Sequence, residues 1–203
     1  MTLSRSLARF AALVLGVAGL LALGYVAYTV NEAQAFQRAA HVALISPPAA
    51  DLSTRGAGPE VETAILALPV DGDPVGEVRI DRLGLDAMVV HGSSSSTLRR
   101  AVGHLPGTAW PGDEGNVVLA GHRDTFFRAL KDVRTGDTIS LRTARGMFTY
   151  IVEATSVVPP TAVEVLAPTA EPTLTLITCF PFTWLGSAPD RFIVRARETS
   201  RPG

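Results

Sequence analysis

From Phe10 to Val30 the chain reads FAALVLGVAGLLALGYVAYTV, without one charged residue. As a helix rising about 1.5 Å per residue, this run is long enough to cross a hydrocarbon core of roughly 30 Å. Arg5 and Arg9 precede it with no acidic residue among them, and Tyr25 and Tyr28 lie near its far end. Basic residues stay on the cytoplasmic side and amphipathic rings favour the interface, so the pattern predicts residues 1–9 inside, a transmembrane signal anchor over residues 10–30, and the remainder outside. Ala33-Gln34-Ala35 resembles the cleavage site of a signal peptide. The apolar run, however, exceeds the roughly 7 to 15 residues usual in such peptides, which favours a retained anchor. On either reading the rest of the chain is exported.

Asn31 to Ile45 can extend this helix by a few turns. Beyond it, Pro47, Pro48, Gly56, Gly58, Pro59, Pro69 and Gly72 punctuate a stretch with few residues to bury. Residues 31–74 therefore read as a juxtamembrane segment and flexible linker that holds a domain away from the bilayer. A short helix within Val61 to Val70 is the alternative.

At Val75 the period changes to two. Gly76-Glu77-Val78-Arg79-Ile80 alternates, and Leu85 to Val90, Asn116 to Ala120, Asp137 to Arg142, Met147 to Val158, Thr173 to Cys179 and Phe192 to Arg197 are further strand candidates. Short helices are expected over Thr97 to Val102 and Phe126 to Val133, with one turn at Ala162 to Leu166. An all-β domain over residues 75–198 follows, with residues 199–203 as a tail. Roughly seven or eight short strands favour a closed barrel, because closure removes exposed edges. Alternation alone leaves sandwich against barrel open.

Composition narrows the function. Lys plus Arg (18) nearly balances Asp plus Glu (19), so the chain lacks the basic footprint of a nucleic-acid binder. With the anchor and linker set aside, about 130 residues remain, enough for one domain with its own core. The 18 glycines and 14 prolines suit many turns between short strands.

Cys179 is the only cysteine. In an oxidising compartment a lone thiol is exposed to oxidation and to mispairing, so its retention there points to a chemical role. A nucleophilic cysteine acts as thiolate and needs a partner for its proton. Of the four histidines, His41 falls in the juxtamembrane segment and reads as solvated, and His91 precedes the Gly92 to Ser96 loop and reads as an exposed turn residue. His104, in Gly103-His104-Leu105-Pro106-Gly107-Thr108, suits a structural role. His122 directly follows the strand Val117 to Ala120, where sites are commonly built on a rigid scaffold. Spacing favours His122 and leaves His104 open. Arg191 starts the last strand, one loop beyond Cys179, where it can meet charge developing on a carbonyl oxygen. A surface arginine paired with Asp190 is the equal alternative.

Thr175-Leu176-Ile177-Thr178-Cys179 resembles the TLxTC signature of sortases, the membrane-anchored cysteine transpeptidases. Gly121-His122-Arg123-Asp124-Thr125 resembles their strand-end histidine motif, and Arg191-Phe192-Ile193-Val194 their late arginine motif. The three occur in the family's order and the likeness runs from about Val75 to Glu198. The stretches Gly103 to Thr108 and Glu153 to Leu166 are most similar to class D, while Phe182-Thr183-Trp184-Leu185 departs from it at the mouth of the site. The resemblance implies a closed eight-stranded β-barrel with two or three short helices. It implies Cys179 as nucleophile, His122 as general acid and base, Arg191 as the group that orients substrate and stabilises the oxyanion, and Thr178 as a substrate-side helper, with no metal or cofactor. It further implies that surface proteins with a C-terminal LPxTG-like sorting motif are cleaved through a thioacyl enzyme and passed to an amine acceptor, a cell-wall precursor or another protein. Two rivals are an L,D-transpeptidase, whose histidine stands much nearer its cysteine in sequence, and an idle peptide-binding barrel with a buried thiol.

Overall fold

The computed structural model describes the backbone of residues 2–45 and 69–200 and the side chains of residues 10–42 and 69–200. Helix α1 (Thr2–Ile45) is one continuous rod, and within it Phe10–Val42 is long and apolar enough to cross a membrane. Its most apolar window has none of its surface buried by protein. An apolar helix left uncovered in this way is compatible with a membrane anchor.

Eight strands follow among the described residues: β1 (Pro74–Ile80), β2 (Leu85–His91), β3 (Val102–His104), β4 (Asn116–Ala120), β5 (Thr138–Thr143), β6 (Gly146–Val158), β7 (Thr173–Phe180) and β8 (Asp190–Ser200). They close in the order β1-β2-β3-β4-β7-β8-β6-β5. The barrel is therefore complete, and the sandwich alternative falls. Alternate positions supply the interior: Val78, Ile80, Leu119, Ile139, Leu141, Leu174 and Leu176 are at most 1% exposed. Two neighbouring pairs are parallel, β2 with β3 and β4 with β7. The first pair is bridged by α2 (Ser95–Arg100), whose first turn is capped by Ser94 accepting from the Thr97 amide at 3.2 Å.

Strand β3 is the element that alternation does not reveal. The expected helix Thr97 to Val102 ends earlier, at Arg100, and Val102-Gly103-His104 pairs between β2 and β4. Three residues are too few to show a period, and the central one is glycine for a packing reason. A Cβ on Gly103 would collide with the carbonyl of Gly92. The expected helix Phe126 to Val133 is a 3-10 turn over Arg128–Asp132, and β8 runs to Ser200, past the assumed start of the tail.

The spacer reading also changes. Beyond the apolar run, α1 is fastened to the barrel rather than held apart from it. The Gln37 side chain donates to the Arg100 carbonyl and accepts from the Met88 amide, each at 2.7 Å. The Arg100 guanidinium lies 5.2 Å from the centre of the Phe36 ring. Most of the linker and most of the alternative helix Val61 to Val70 lie outside the described residues.

Asp137 secures the turn into β5. Its carboxylate accepts from the Arg82 guanidinium and, at 2.8 Å, from the Arg134 amide. The hydrogen bonds from Arg82, above all, hold its pKa below the ordinary 3.8. A depressed carboxylate pKa adds stability that is complete above about 3.8 and is lost as pH falls through the folded value. Asp137→Asn is therefore expected to cost about 1 kcal/mol at neutral pH, after allowance for solvent at Arg82. The gap from wild type should narrow in melts recorded at pH values below about 4.

Candidate active site

Three strands bring the predicted residues together. β4 and β7 run parallel with Ala120 opposite Ile177. Cys179 stands two residues further along β7, and His122 two residues past Ala120, just beyond the end of β4. Neighbouring strands lie about 4.8 Å apart, so this register directs the two residues to the same edge of the sheet. The exit is fastened twice: the Gly121 amide donates to the Ile177 carbonyl at 3.1 Å, and the Thr178 hydroxyl donates to the Gly121 carbonyl at 2.8 Å.

Facing follows from the pleat. Leu174 and Leu176 point into the core, and Thr178, next in that series, is 2% exposed. Cys179 is therefore on the outer face, where it is half-buried. Gly121 backs onto core residue Phe127, so alternation continued one residue past β4 faces His122 outward, on the same side as the thiol. On the other flank, β7 and β8 pair antiparallel with Cys179 directly opposite Arg191. Directly opposed residues have Cβ atoms about 4.5 to 5.5 Å apart. Cys179, His122 and Arg191 thus share one outer face across β4, β7 and β8.

Thr178 is the exception among the predicted site residues. Its side chain faces inward, away from the outer face, and its hydroxyl donates to the Gly121 carbonyl at the β4 exit. The surface-pair alternative for Arg191 also fails. Its Nη1 donates to the main-chain carbonyls of Asp190 at 2.9 Å and Ala188 at 3.4 Å, and among the described residues no ion pair joins it to the Asp190 carboxylate.

The remaining histidines are engaged elsewhere. His104 is fully buried and its Nε2 donates to the Ala109 carbonyl at 2.8 Å. Burial lowers its pKa and keeps it neutral, so its Nδ1 accepts, and the contact of 3.3 Å with His91 makes the His91 Nδ1 the donor. His91 is accordingly a half-buried part of a ring cluster, stacked on Trp110 at 5.3 Å, and not an exposed turn residue. His41 is not simply solvated either: its Nδ1 lies 3.2 Å from Glu77, a carboxylate whose pKa burial pushes up.

A family model described as "Sortase domain" matches residues 78–199, the stretch that contains all three outward-facing residues. The chain belongs to the sortase family. Sortase D of Bacillus subtilis (strain 168) is 32% identical over 133 residues, which cover 65% of this chain and 67% of that protein. Among solved structures, a Clostridium perfringens Sortase D5 transpeptidase is similar with a TM-score of 0.61 and 29% identity, over 70% of this chain and 89% of the other. C. perfringens sortase C with the C-terminal cell wall sorting motif matches with a TM-score of 0.60 and 27% identity, over 65% of this chain and 74% of the other. The protein is thus a cysteine transpeptidase of the sortase type.

Two parts of this sortase site escape sequence reading. Arg123, next to His122, donates from Nη2 to the carbonyls of Trp184 at 2.8 Å and Gly186 at 3.0 Å. It thereby ties the histidine segment to the loop between β7 and β8, whose tip carries Trp184 and the almost fully exposed Leu185. Its partners stand 61 and 63 residues away, so the sequence offers no sign of the link beyond a basic residue in the histidine motif. The departure at Phe182 is structural at its base: the Phe182 ring meets Phe192 edge-on at 5.3 Å, beside Phe180.

Gly121 is the second. A Cβ there would stand 2.8 Å from the Phe127 ring, closer than carbon atoms pack. Gly121→Ala is expected to cost about 1 to 3 kcal/mol through overpacking. Because relief requires the β4 exit to move, kcat should fall by more than the loss of folded protein explains. Thermal melts and steady-state rates on the same samples check both effects.

Proposed function

We propose that Cys179, His122 and Arg191 are the catalytic set of a membrane-anchored sortase that cleaves an LPxTG-like motif and transfers the acyl fragment to an amine. The single observation that supports the reading is the register, which pairs Ala120 with Ile177, two residues before His122 and Cys179, and pairs Cys179 with Arg191. The thiolate of Cys179 attacks the threonine carbonyl carbon of the motif, and the electron pair displaced onto oxygen is stabilised by the Arg191 guanidinium. Protonated His122 donates to the departing nitrogen as the C–N bond breaks, which leaves a thioacyl enzyme and a neutral His122. The incoming amine then attacks the thioester carbon and gives its proton to His122. The C–S bond breaks, and the thiolate returns.

Water competes with the amine at the thioester. Positioning of the amine against the half-buried sulfur supplies effective concentration that dilute solutes lack. The sortase C structure that holds a sorting motif supports a peptide of this class as the acyl donor. α1 supports a single-pass anchor with the barrel outside, so that enzyme and a membrane-bound substrate share one plane and meet more often. The offset of 57 residues from His122 to Cys179, with Arg191 beyond, disfavours the L,D-transpeptidase reading.

The test is incubation of the purified full-length protein with a library of five-residue motifs and an amine acceptor, read by mass spectrometry. Cleavage after threonine with an amide product is expected. A library returned intact would sink the proposal, as would hydrolysis indifferent to the motif.

A further inference from the structure

The loop between β7 and β8, residues 181–189, is the soft part of the site. Residues 183–187 are exposed, and the one main-chain hydrogen bond within the loop, among the described residues, runs from the Trp184 amide to the Pro181 carbonyl at 3.3 Å. Its other polar ties are to two arginines, one on the β4 flank of Cys179 and one on the β8 flank. Arg123 bonds the carbonyls of Trp184 and Gly186, and Arg191 bonds the Ala188 carbonyl together with that of its neighbour Asp190.

The two flanks differ in stiffness. On the β4 side the Gly121 amide and carbonyl are both bonded to β7, and the His122 carbonyl accepts from the Phe127 amide at 3.0 Å. The Arg123 Nη1 is shut off from solvent, so this side chain is an enclosed strut and not a mobile surface group. A strut fixed at one end sets the position of whatever its other end holds. Here that is Gly186, and only Ser187 separates Gly186 from Ala188, on whose carbonyl Arg191 rests.

We propose that Arg123 is a positioning residue for Arg191. By fixing the loop at Trp184 and Gly186 it holds the Ala188 carbonyl in place, and that carbonyl, with the one of Asp190, aims the Arg191 guanidinium at the oxygen under attack. This rests on the oxyanion role of Arg191. Arg123 acts through the loop and not on the reacting atoms, so its effect lies in kcat, where the aim of a donor toward developing charge counts.

The full-length protein and its variants are assayed with the library peptide that the wild type cleaves fastest and with hydroxylamine as the amine, alongside thermal melts. Arg123→Ala is expected to lower kcat about 10- to 100-fold, the size of the effect of a misplaced group, with little change in KM and an unchanged pH profile. Arg123→Lys should recover part of the rate, since its ammonium also donates to carbonyls. In an Arg191→Ala background the Arg123→Ala change should cost less than about twofold, because nothing remains to be aimed. Gly186→Ala reaches the same loop with both arginines intact. Its φ of 84° strains any side chain, whereas a Cβ there meets nothing within 4 Å, so the barrel is spared. It too should lower kcat, and only while Arg191 is present; if Arg123→Ala does not fold, this variant and Arg123→Lys decide. Unchanged kcat in the single variants overturns the inference. So does a loss that persists in full without Arg191, or a shifted pH profile, either of which would assign Arg123 to His122. If Arg191→Ala by itself leaves kcat unaltered, the oxyanion role falls first and the inference with it.

Discussion

Cys179→Ala is expected to fold as the wild type does and to show no measurable transfer, a loss of at least about 10⁴-fold in kcat. Without sulfur no thioacyl intermediate forms, and no other cysteine exists to replace it. Stability should change by less than about 1 kcal/mol, because the side chain is half-buried on the outer face and takes no part in the packed interior. The measurement pairs a melting curve with mass spectrometry of enzyme quenched during turnover. Wild-type protein should carry the acyl adduct and the variant none. An adduct on the alanine protein, or activity within tenfold of wild type, would place the nucleophile elsewhere.

Arg191→Ala should lower kcat by about 10² to 10³, the size of one lost oxyanion donor, with a smaller change in KM. The effect resides in the transition state because the negative charge exists only once sulfur has attacked. Arg191→Lys should recover only part of the rate: a lysine restores charge, but not the planar guanidinium, which keeps donors free while its Nη1 bonds the Ala188 and Asp190 carbonyls. A raised KM with kcat unchanged would assign Arg191 to ground-state binding. Unaltered kcat and KM together would remove it from the mechanism.

Much of the barrel was legible because half-buried strands write their facing into the sequence. β1, β2, β4, β5, β6 and β7 were each read to within a residue or two, since every second side chain must be apolar where one face meets the core. β3 was not legible. Its three residues hold a glycine required by the Gly92 carbonyl and a histidine that bonds Ala109 and His91, and these tertiary contacts leave no mark in the period. Arg123 escaped for the same reason, because its partners are main-chain carbonyls, which every residue possesses.

Cys179, His122 and Arg191 were legible as candidates through residue chemistry and motif order. Their separation from equally plausible groups required the fold. His104 and His122 differ little in one dimension, yet one is sealed in the interior as a donor to Ala109 and the other follows the end of β4, the neighbour of the strand that carries Cys179. Thr178 adjoins the nucleophile in sequence and still points the opposite way, because the pleat reverses facing at each residue.

The amino-acid order alone determined an uncharged run able to span a bilayer, a domain of short alternating strands, and a thiol with histidine and arginine candidates. These are local properties, set by hydropathy, period and residue chemistry. The tertiary structure decided that the strands close, that β4, β7 and β8 lie side by side, and that Gln37 of α1 bonds the barrel at Met88 and Arg100. Such decisions depend on pairings between segments tens of residues apart, whose free energy comes from shared burial and from main-chain hydrogen bonds that no single segment encodes.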